Sequence, residues 1–435
     1  MKKIILILLS ILILIALAYF SSSLWMPLLF EPTDTTLKQG KTVEEVMERS
    51  DQENLKDRTT KQEKRSKQKD ETPQQEQKTI SDNENQPKEK AGREDSEPKK
   101  QDQQKDESEE PIQVVAKNLN IPWEIAFLPG GDLLVTERPG TLKRLGEKEK
   151  GYQLEDTYHI GEGGLLGLAL HPDFKDNRYI YLYLTTNNNG ENIENQIRRY
   201  KYTESGRLKK ERVILADIPA GRWHNGGRIE FGPDELLYIT TGDAQQENLS
   251  QNKKSLAGKI LRITDTGKTP KENPFSNPVF SFGHRNPQGL AWTDSGHMWA
   301  TEHGSSARDE LNLIEKGANY GWPIIQGDQS KPGMKTPKVH SGSSETWAPA
   351  GAEYYNGSIF FSGLRGETLY EAKLSSKTEI KEVVAHFRQD YGRLRHVEQG
   401  PDGYIYILTS NRDGRGSPVA ADDRIIKIDP EVFKE

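Results

Sequence analysis

The chain has 435 residues, no cysteine and a formal net charge of -6 at pH 7. The lack of cysteine excludes disulfides, thiolate metal sites and a lipid-modified N-terminal cysteine. A mildly acidic balance does not favour nucleic acid as a partner. The fold must therefore hold by apolar burial, helped at most by a hard cation such as calcium.

The N-terminus carries an unbroken apolar run at residues 4–20, long enough to span a bilayer. Two lysines precede the run, and no basic residue follows it until Lys38. The positive-inside tendency then places the N-terminus in the cytoplasm and the rest of the chain outside the cell. We predict that residues 1–30 are a membrane anchor. A signal peptide cleaved near Ala16–Ala18, which would give a secreted protein, is the alternative.

Residues 31–110 contain no aromatic side chain and are dominated by Lys, Glu, Asp, Gln, Ser and Asn. Such a segment cannot bury enough apolar surface to offset the entropy of ordering it. It also lacks the apolar heptads of a coiled coil. We predict a disordered linker that holds the globular part away from the membrane and contributes nothing to folding.

From residue 111 onward, short β-rich runs recur, each opened by a turn. They lie at residues 128–137, 171–185, 232–243, 293–304, 355–363 and 400–410. Most are followed by a second, basic-apolar strand such as GTLKRL or DRIIKID. A two-sheet sandwich would explain the alternation of apolar and polar positions but not this repeated unit. The pattern predicts an all-β fold, a six-bladed β-propeller over residues 111–435, with ligands bound where loops converge on its central channel.

The stretch GRWHNGGRIEF places His224 directly before two glycines and an apolar strand. Gly226 and Gly227 would let a flat ligand approach the backbone. Asp243 follows the next strand and could orient the imidazole, and a histidine held by a carboxylate is a common general base. A histidine that merely packs in a surface loop is the alternative.

Arginines recur in three loops that adjoin predicted strands. Arg285 lies beside Asn286 in GHRNPQG, Arg393 and Arg395 are two residues apart in GRLRH, and Arg365 lies in SGLRG. Each arginine alone is typical of a surface charge. Together they suit a polyanionic ligand, because guanidinium pairs with carboxylate in a fork geometry.

The stretch EHGSSARDELNLIEKGANYGWP combines acids with a glycine-rich loop. Asp309 and Glu310 are adjacent, and backbone carbonyls near Gly304, Ser305 and Tyr320 could join them. Calcium takes oxygen ligands of both kinds. A solvated acidic turn without an ion is the alternative.

These stretches together resemble the glucose/sorbosone dehydrogenase family, soluble quinoprotein aldose dehydrogenases that use pyrroloquinoline quinone. The resemblance covers about residues 112–430. It is carried by GEGGLLGLALHPDF, HNGGRIEFGPDELLYITTGD, GKILRI, FGHRNPQGLAW, DELNLIEKGANYGWP and RLRHVEQGPDGYIYILT. The resemblance implies a six-bladed propeller with the quinone lying flat over the channel mouth.

The resemblance also implies roles for individual residues. His224 matches the catalytic base, Asp243 its orienting carboxylate, and Arg285 the group beside the reactive quinone carbonyl. Cofactor contacts fall on Glu162, His224, Arg285, Asn286, Thr346, Arg365, Arg393 and Arg395. Metal ligands fall on the Gly304 and Ser305 carbonyls for calcium at the quinone, and on Glu310 and the Tyr320 carbonyl for a second, structural calcium.

Two positions depart from the family pattern: Glu162 replaces a glutamine of some members, and Trp223 replaces an aspartate. The implied activity is oxidation of aldose sugars at the anomeric carbon to lactones. It depends on pyrroloquinoline quinone and calcium and passes electrons to an external acceptor. A calcium-dependent lactonase and a non-catalytic cell-surface propeller are the alternatives. The sequence is compatible with both a monomer and a homodimer.

Overall fold

The computed structural model describes residues 37–50, 52, 56, 110–188, 192–203 and 205–434. The predicted anchor at residues 1–30 and most of the predicted linker at residues 31–110 lie outside the described residues. In the described part of the chain, no helix is long and apolar enough to cross a membrane.

The chain divides into two compact units. One comprises Met1–Thr42 with Gln113–Glu435, and the other comprises Val43–Ile112. In the second unit, residues 43–50 are helical. The first unit contains the candidate site.

The first unit is an all-β, six-bladed propeller, as predicted, in which every blade is a sheet of at least four antiparallel strands. The first blade consists of β3 (Pro122–Phe127), β4 (Leu133–Glu137), β5 (Thr141–Leu145) and β6 (Lys150–Gln153). The second consists of β7 (Leu165–Leu170), β8 (Tyr179–Asn188), β9 (Asn192–Tyr202) and β10 (Leu208–Pro219). The third consists of β11 (Ile229–Phe231), β12 (Leu237–Thr241), β13 (Lys259–Ile263) and β14 (Val279–Phe282).

The remaining blades follow the same order. The fourth consists of β15 (Pro287–Trp292), β16 (Met298–Glu302), β17 (Glu310–Ile314) and β18 (Val339–His340). The fifth consists of β19 (Pro349–Tyr355), β20 (Ser358–Gly363), β21 (Thr368–Ser376) and β22 (Glu379–His386). The sixth consists of β23 (Leu394–Gln399), β24 (Ile405–Thr409) and β25 (Ile425–Ile428), joined by β2 (Ile112–Ala116) from the start of the domain. This last pairing closes the ring.

The repeat detected in the sequence corresponds to the middle of each blade. The six turn-opened runs contain the second strands, β4, β8, β12, β16, β20 and β24. The basic-apolar runs contain the third strands, such as β5 and β25. These strands are buried on both faces by the neighbouring sheets, so their apolar residues are almost continuous.

Adjacent blades are held together by aromatic and aliphatic side chains and by a few buried hydroxyls. Tyr181 and Tyr183 of the second blade lie in one cluster with Ile239 and Leu261 of the third. Thr136 Oγ1 donates a hydrogen bond of 2.6 Å from the first blade to a backbone carbonyl of the second. The buried hydroxyl thus satisfies backbone that would otherwise be unpaired between sheets.

A short strand from the predicted linker lies on the outer edge of the fifth blade. β1 (Lys38–Gln39) pairs in parallel with β22. The amide of Gly40 donates to Ala385 O at 2.7 Å, and Phe387 N donates to Lys41 O at 2.7 Å. The linker was expected to stay apart from the fold, but these residues complete a sheet edge because an exposed strand edge offers free backbone partners.

The edge strand gives a testable prediction at Gly40. A Cβ built there would meet His386 Nδ1 at 2.4 Å and Ala385 O at 2.7 Å. We expect Gly40→Ala to displace the strand and to lower the free energy of unfolding by about 1–3 kcal/mol, the worth of its few hydrogen bonds. Urea unfolding measures the change.

Gly130→Ala is the matched control, because a Cβ at Gly130 would meet nothing within 4 Å. Equal stability of the two variants would show that β1 contributes nothing to folding, as the sequence had suggested.

Candidate active site

The predicted site residues lie at one end of the channel, which we call the channel mouth. The first strand of each blade starts at this end and the second strand finishes there, because the two are antiparallel. His224 precedes β11 and Asp243 follows β12, while Arg285 precedes β15 and Arg393 precedes β23. The topology therefore brings residues from separate blades to one rim.

His224 and Asp243 form a hydrogen-bonded pair. His224 Nδ1 lies 2.8 Å from Asp243 Oδ1, and the Asp243 side chain is fully buried. The same carboxylate accepts hydrogen bonds from Gln245 N at 2.8 Å and from Trp322 Nε1 at 2.9 Å. The fixed carboxylate accepts a hydrogen bond from Nδ1, so the ring proton lies on Nδ1. The lone pair of Nε2 is then free to accept a proton from a substrate.

The glycines after His224 are required by the packing of the neighbouring strands. A Cβ at Gly226 would meet Thr240 O at 2.5 Å, and one at Gly227 would meet Leu166 Cδ1 at 2.7 Å. Both glycines have positive φ, and so does His224, at 61°. The close approach of neighbouring strands requires glycine here.

Glu162 faces the same group of side chains. Its Oε2 accepts from His224 N at 3.0 Å and its Oε1 from Arg415 Nη1 at 3.0 Å. Burial opposes ionisation, yet His303, the His224 amide and Arg415 together lower the pKa of Glu162 to about 2. The carboxylate is therefore ionised, and Arg415 pairs with its negative charge.

Arg415 is a site residue that the sequence analysis missed. Its guanidinium lies over the Trp223 ring, 4.5 Å from the centroid, and its side chain is 48% exposed. Arg222 lies over the same indole at 5.3 Å. Two arginines thus form cation–π contacts with Trp223 at the channel mouth, next to Glu162. No local sequence motif predicts this contact, because Arg415 and Glu162 are 253 residues apart.

Arg393 and Arg395 are both buried, at 5% and 3% exposure. Arg393 pairs with Asp413 at 2.7 Å and donates to Leu364 O at 3.0 Å. Arg395 donates to Gln288 Oε1 at 2.7 Å. Burial, reinforced by neighbouring arginines, lowers the pKa of Arg395 to about 9.

A further buried arginine, Arg138, extends this positive cluster and was also missed. It is 4% exposed, and its Nε donates to His159 Nε2 at 3.2 Å. Burial and the charges of Arg393 and Arg415 lower the pKa of Arg138. The sequence TERPG gave no sign that this arginine turns inward.

Of three further residues predicted to contact the cofactor, two form hydrogen bonds with other protein groups through their side chains, and one lies at the surface. Asn286 is buried, and its Oδ1 accepts from Gly226 N at 2.9 Å. Thr346 Oγ1 donates to Asp309 Oδ2 at 2.8 Å. Arg365 is exposed, and its amide donates to Trp347 O at 3.2 Å.

Arg285, Gly304, Glu310 and Tyr320 line one cavity beside the channel mouth, with Glu302 and His303 in its wall. Arg285 Nε and His303 Nε2 are buried and have no hydrogen-bond partner among the described residues. Burial, with the nearby Glu302 carboxylate, raises the pKa of Glu310 to about 8. The cavity thus brings together ligands predicted for two separate calcium sites, Gly304 for one and Glu310 and Tyr320 for the other.

Asp309, adjacent to Glu310, holds loops together beside the cavity. Its Oδ1 accepts from Gly304 N at 2.9 Å, and its Oδ2 accepts from Trp347 N at 2.7 Å and from Ala348 N at 2.9 Å. Because neighbouring amides occupy both oxygens, Asp309 positions the Gly304 backbone. Ser305 is exposed, and its hydroxyl donates to Gln326 Oε1 at 2.8 Å.

Comparisons with known proteins agree with this architecture. The sequence model described as "Glucose / Sorbosone dehydrogenase" matches residues 119–420. The aldose sugar dehydrogenase of Streptomyces coelicolor, solved in its PQQ-bound form, is 41% identical with a TM-score of 0.68, over 73% of this chain and 97% of that one. Aldose sugar dehydrogenase YliI of Escherichia coli is 30% identical over 70% of this chain and 91% of its own length.

Quinoprotein glucose dehydrogenase B of Acinetobacter calcoaceticus is 37% identical over 49% of this chain and 52% of its own length. The matched region of the family model begins just before the first blade and ends between β24 and β25, so it covers five whole blades and part of the sixth. The chain belongs to the glucose/sorbosone dehydrogenase family.

Proposed function

We propose that the protein oxidises aldose sugars at the anomeric carbon, with pyrroloquinoline quinone bound at the channel mouth and calcium in the adjoining cavity. The product is a lactone, and the electrons pass to an external acceptor. The observation that carries the proposal is the His224–Asp243 pair, at 2.8 Å, facing a cluster of buried arginines.

The donor groups at the mouth fit a flat tricarboxylate such as the quinone. Arg393, Arg395 and Arg138 are buried cations from two blades, and guanidinium pairs with carboxylate in a fork geometry. Arg285 Nε is buried and has no hydrogen-bond partner among the described residues, as expected of a donor whose acceptor is a bound ligand. These arginines would hold the cofactor.

The cavity beside the mouth fits a hard cation. The Glu310 carboxylate and the Gly304 and Tyr320 backbones supply oxygen donors of the kinds that calcium takes. The side chain of Glu310 is already oriented, because Oε1 accepts from Gly327 N at 2.8 Å and Oε2 from Asn312 Nδ2 at 3.0 Å. A divalent ion there would offset the charge of the buried carboxylates.

The quinone, when bound, supplies the two-electron acceptor for oxidation of the sugar. His224 Nε2 takes the proton of the anomeric hydroxyl, and Asp243 stabilises the imidazolium that forms. Asp243 keeps the ring oriented because its second oxygen is held by Trp322 Nε1. Arg285, with its pKa lowered by burial but still a cation, stabilises negative charge that develops at the mouth.

The alternatives need fewer of these groups. Lactone hydrolysis around a metal has no use for three buried arginines beside the base. A non-catalytic propeller would have no reason to keep the His224–Asp243 pair.

His224→Ala tests the proposed base. Loss of a positioned base typically lowers turnover by about 10²–10⁴-fold. We expect that decrease in sugar-dependent dye reduction at saturating quinone, with quinone affinity largely unchanged. His297→Ala, on a turn of the fourth blade, should leave both quantities unchanged. Near-full turnover of His224→Ala would make His224 an ordinary loop residue.

The double variant Arg393→Ala with Arg395→Ala is the reverse control in the same titration. It should weaken quinone affinity more than turnover at saturating cofactor, because these arginines hold the cofactor and do not move the proton.

Removal of divalent ions tests the calcium proposal. A ligand that binds only the folded state stabilises it by mass action. We expect a chelator to lower the melting temperature and to abolish quinone binding, and re-added Ca²⁺ to restore both. A protein that melts and binds quinone equally with and without chelator has no such calcium sites.

Asp309→Ala tests whether Asp309 positions the Gly304 loop. Hydrogen bonds to a charged group contribute about 1.5–3 kcal/mol each, and at least three backbone amides lose their acceptor. We expect a loss of at least about 3 kcal/mol in the free energy of unfolding and a higher Ca²⁺ requirement for activity. The exposed Asp328→Ala is the control and should change stability by less than about 0.5 kcal/mol. Asp309→Ala with the stability of this control would refute the loop-holding role.

A further inference from the structure

The innermost strands place two layers of side chains in the channel, below the mouth. In each strand the residue two positions further along faces the same way. The upper layer consists of Glu124, Gly167, Gly289, Gly351 and His396, at equivalent positions of β3, β7, β15, β19 and β23, and of Arg228, directly before β11. The lower layer consists of Ala126, Ala169, Glu230, Ala291, Glu353 and Glu398.

Each layer therefore pairs three polar or charged residues with three of the smallest residues. The glycines let the strands approach closely: a Cβ at Gly351 would meet His396 Nδ1 at 2.4 Å. The polar side chains of the two layers are thereby gathered in a narrow space. No step of the proposed oxidation uses them.

Three of these side chains have the spacing of metal ligands. Ligand atoms of Glu124, His396 and Glu398 all lie within 4.8 Å of one another. His396 Nε2 lies 3.1 Å from Glu124 Oε1 and 3.2 Å from Glu398 Oε2. Two atoms bound about 2.1 Å from one tetrahedral zinc ion are about 3.4 Å apart, so small side-chain shifts would seat the ion.

The cluster also contains a polar atom without a partner in the described part of the chain. Glu124 Oε2 is buried and has no hydrogen-bond partner there, and Glu124 is 4% exposed. Buried polar atoms without a partner are uncommon in folded proteins and point to an unseen water or ion.

The channel is rich in carboxyl groups. Glu230 and Glu353 lie near Glu398, so with Glu124 four carboxyl groups share the channel. Arg228 pairs with Glu124. Arg228 Nε also donates to Gln288 O at 3.0 Å, which fixes the pair and so orients Glu124.

We propose that Glu124, His396 and Glu398 bind a divalent metal ion of the zinc class in the channel, separate from the calcium cavity. One imidazole nitrogen with two carboxylate oxygens suits zinc, whereas calcium takes oxygen ligands only. The Glu398 side chain is 30% exposed, which leaves the site open to solvent. Three protein ligands leave a fourth position for water.

A Co²⁺ titration of the untagged full-length chain tests the proposal. Co²⁺ replaces zinc in such sites, and its visible absorption reports the coordination. The chain is first stripped of metals and then saturated with Ca²⁺, so that oxygen-rich sites are filled. We expect one Co²⁺ per chain with an intense four-coordinate spectrum, displaced by one equivalent of Zn²⁺. Neither quinone nor sugar is present, so the result is independent of the proposed oxidation.

His396→Gln and Glu398→Gln should each weaken Co²⁺ binding at least about 100-fold, since even supporting residues of metal sites are worth 10–100-fold. Glu230→Gln is the matched control, because it removes a carboxylate of the same channel that is not a ligand. It should keep one Co²⁺ per chain with the same spectrum. Melting curves establish whether each variant is folded. If His396→Gln does not fold, Glu398→Gln, which changes a partly exposed side chain, tests the proposal by itself.

Absence of a bound Co²⁺ in the parent protein would overturn the proposal. So would unchanged binding in Glu398→Gln. An equal loss in Glu230→Gln would overturn it as well, because it would show attraction by the charge of the channel and not coordination by three defined ligands.

Discussion

Closure of six sheets into a ring forces the first strand of every blade to border the same narrow channel. The hydrogen bonds between β2 and β25 complete that closure. Because all blades have the same strand order, the ends of their first two strands meet at one mouth. Glu162 and Arg415, 253 residues apart, are joined there at 3.0 Å. The site exists only while the ring is closed, so the stability of the fold and the geometry of the site depend on the same pairing.

The middle strands of the blades were predictable from sequence because burial on both faces makes them apolar and a turn precedes each one. The inner strands were not, although they line the site. Their polar residues, such as Arg228 and His396, interrupt the apolar pattern, and both are tolerated because they pair with Glu124 in the channel. The edge strand β1 escaped detection because two residues in a charged segment carry no periodic signal.

The predictable part of the site consists of residues fixed by local chain geometry. His224 and Asp243 lie next to strands whose pairing the sequence already implied, and the structure brings them together. Arg138 and Arg415 were missed because their partners, His159 and Glu162, are distant in sequence. The same cause explains Gly226, whose nearest neighbours belong to β12.

The pairing of β1 with the fifth blade changes the reach of whatever precedes it. A chain spans at most about 3.6 Å per residue. Between the end of the predicted anchor at residue 30 and a propeller attached at residue 111, about 80 residues would allow some 290 Å. Attachment at Lys38 leaves about 8 residues and at most about 29 Å. An anchored propeller would then be held close to the bilayer, and an electron acceptor would have to meet it within that thin layer.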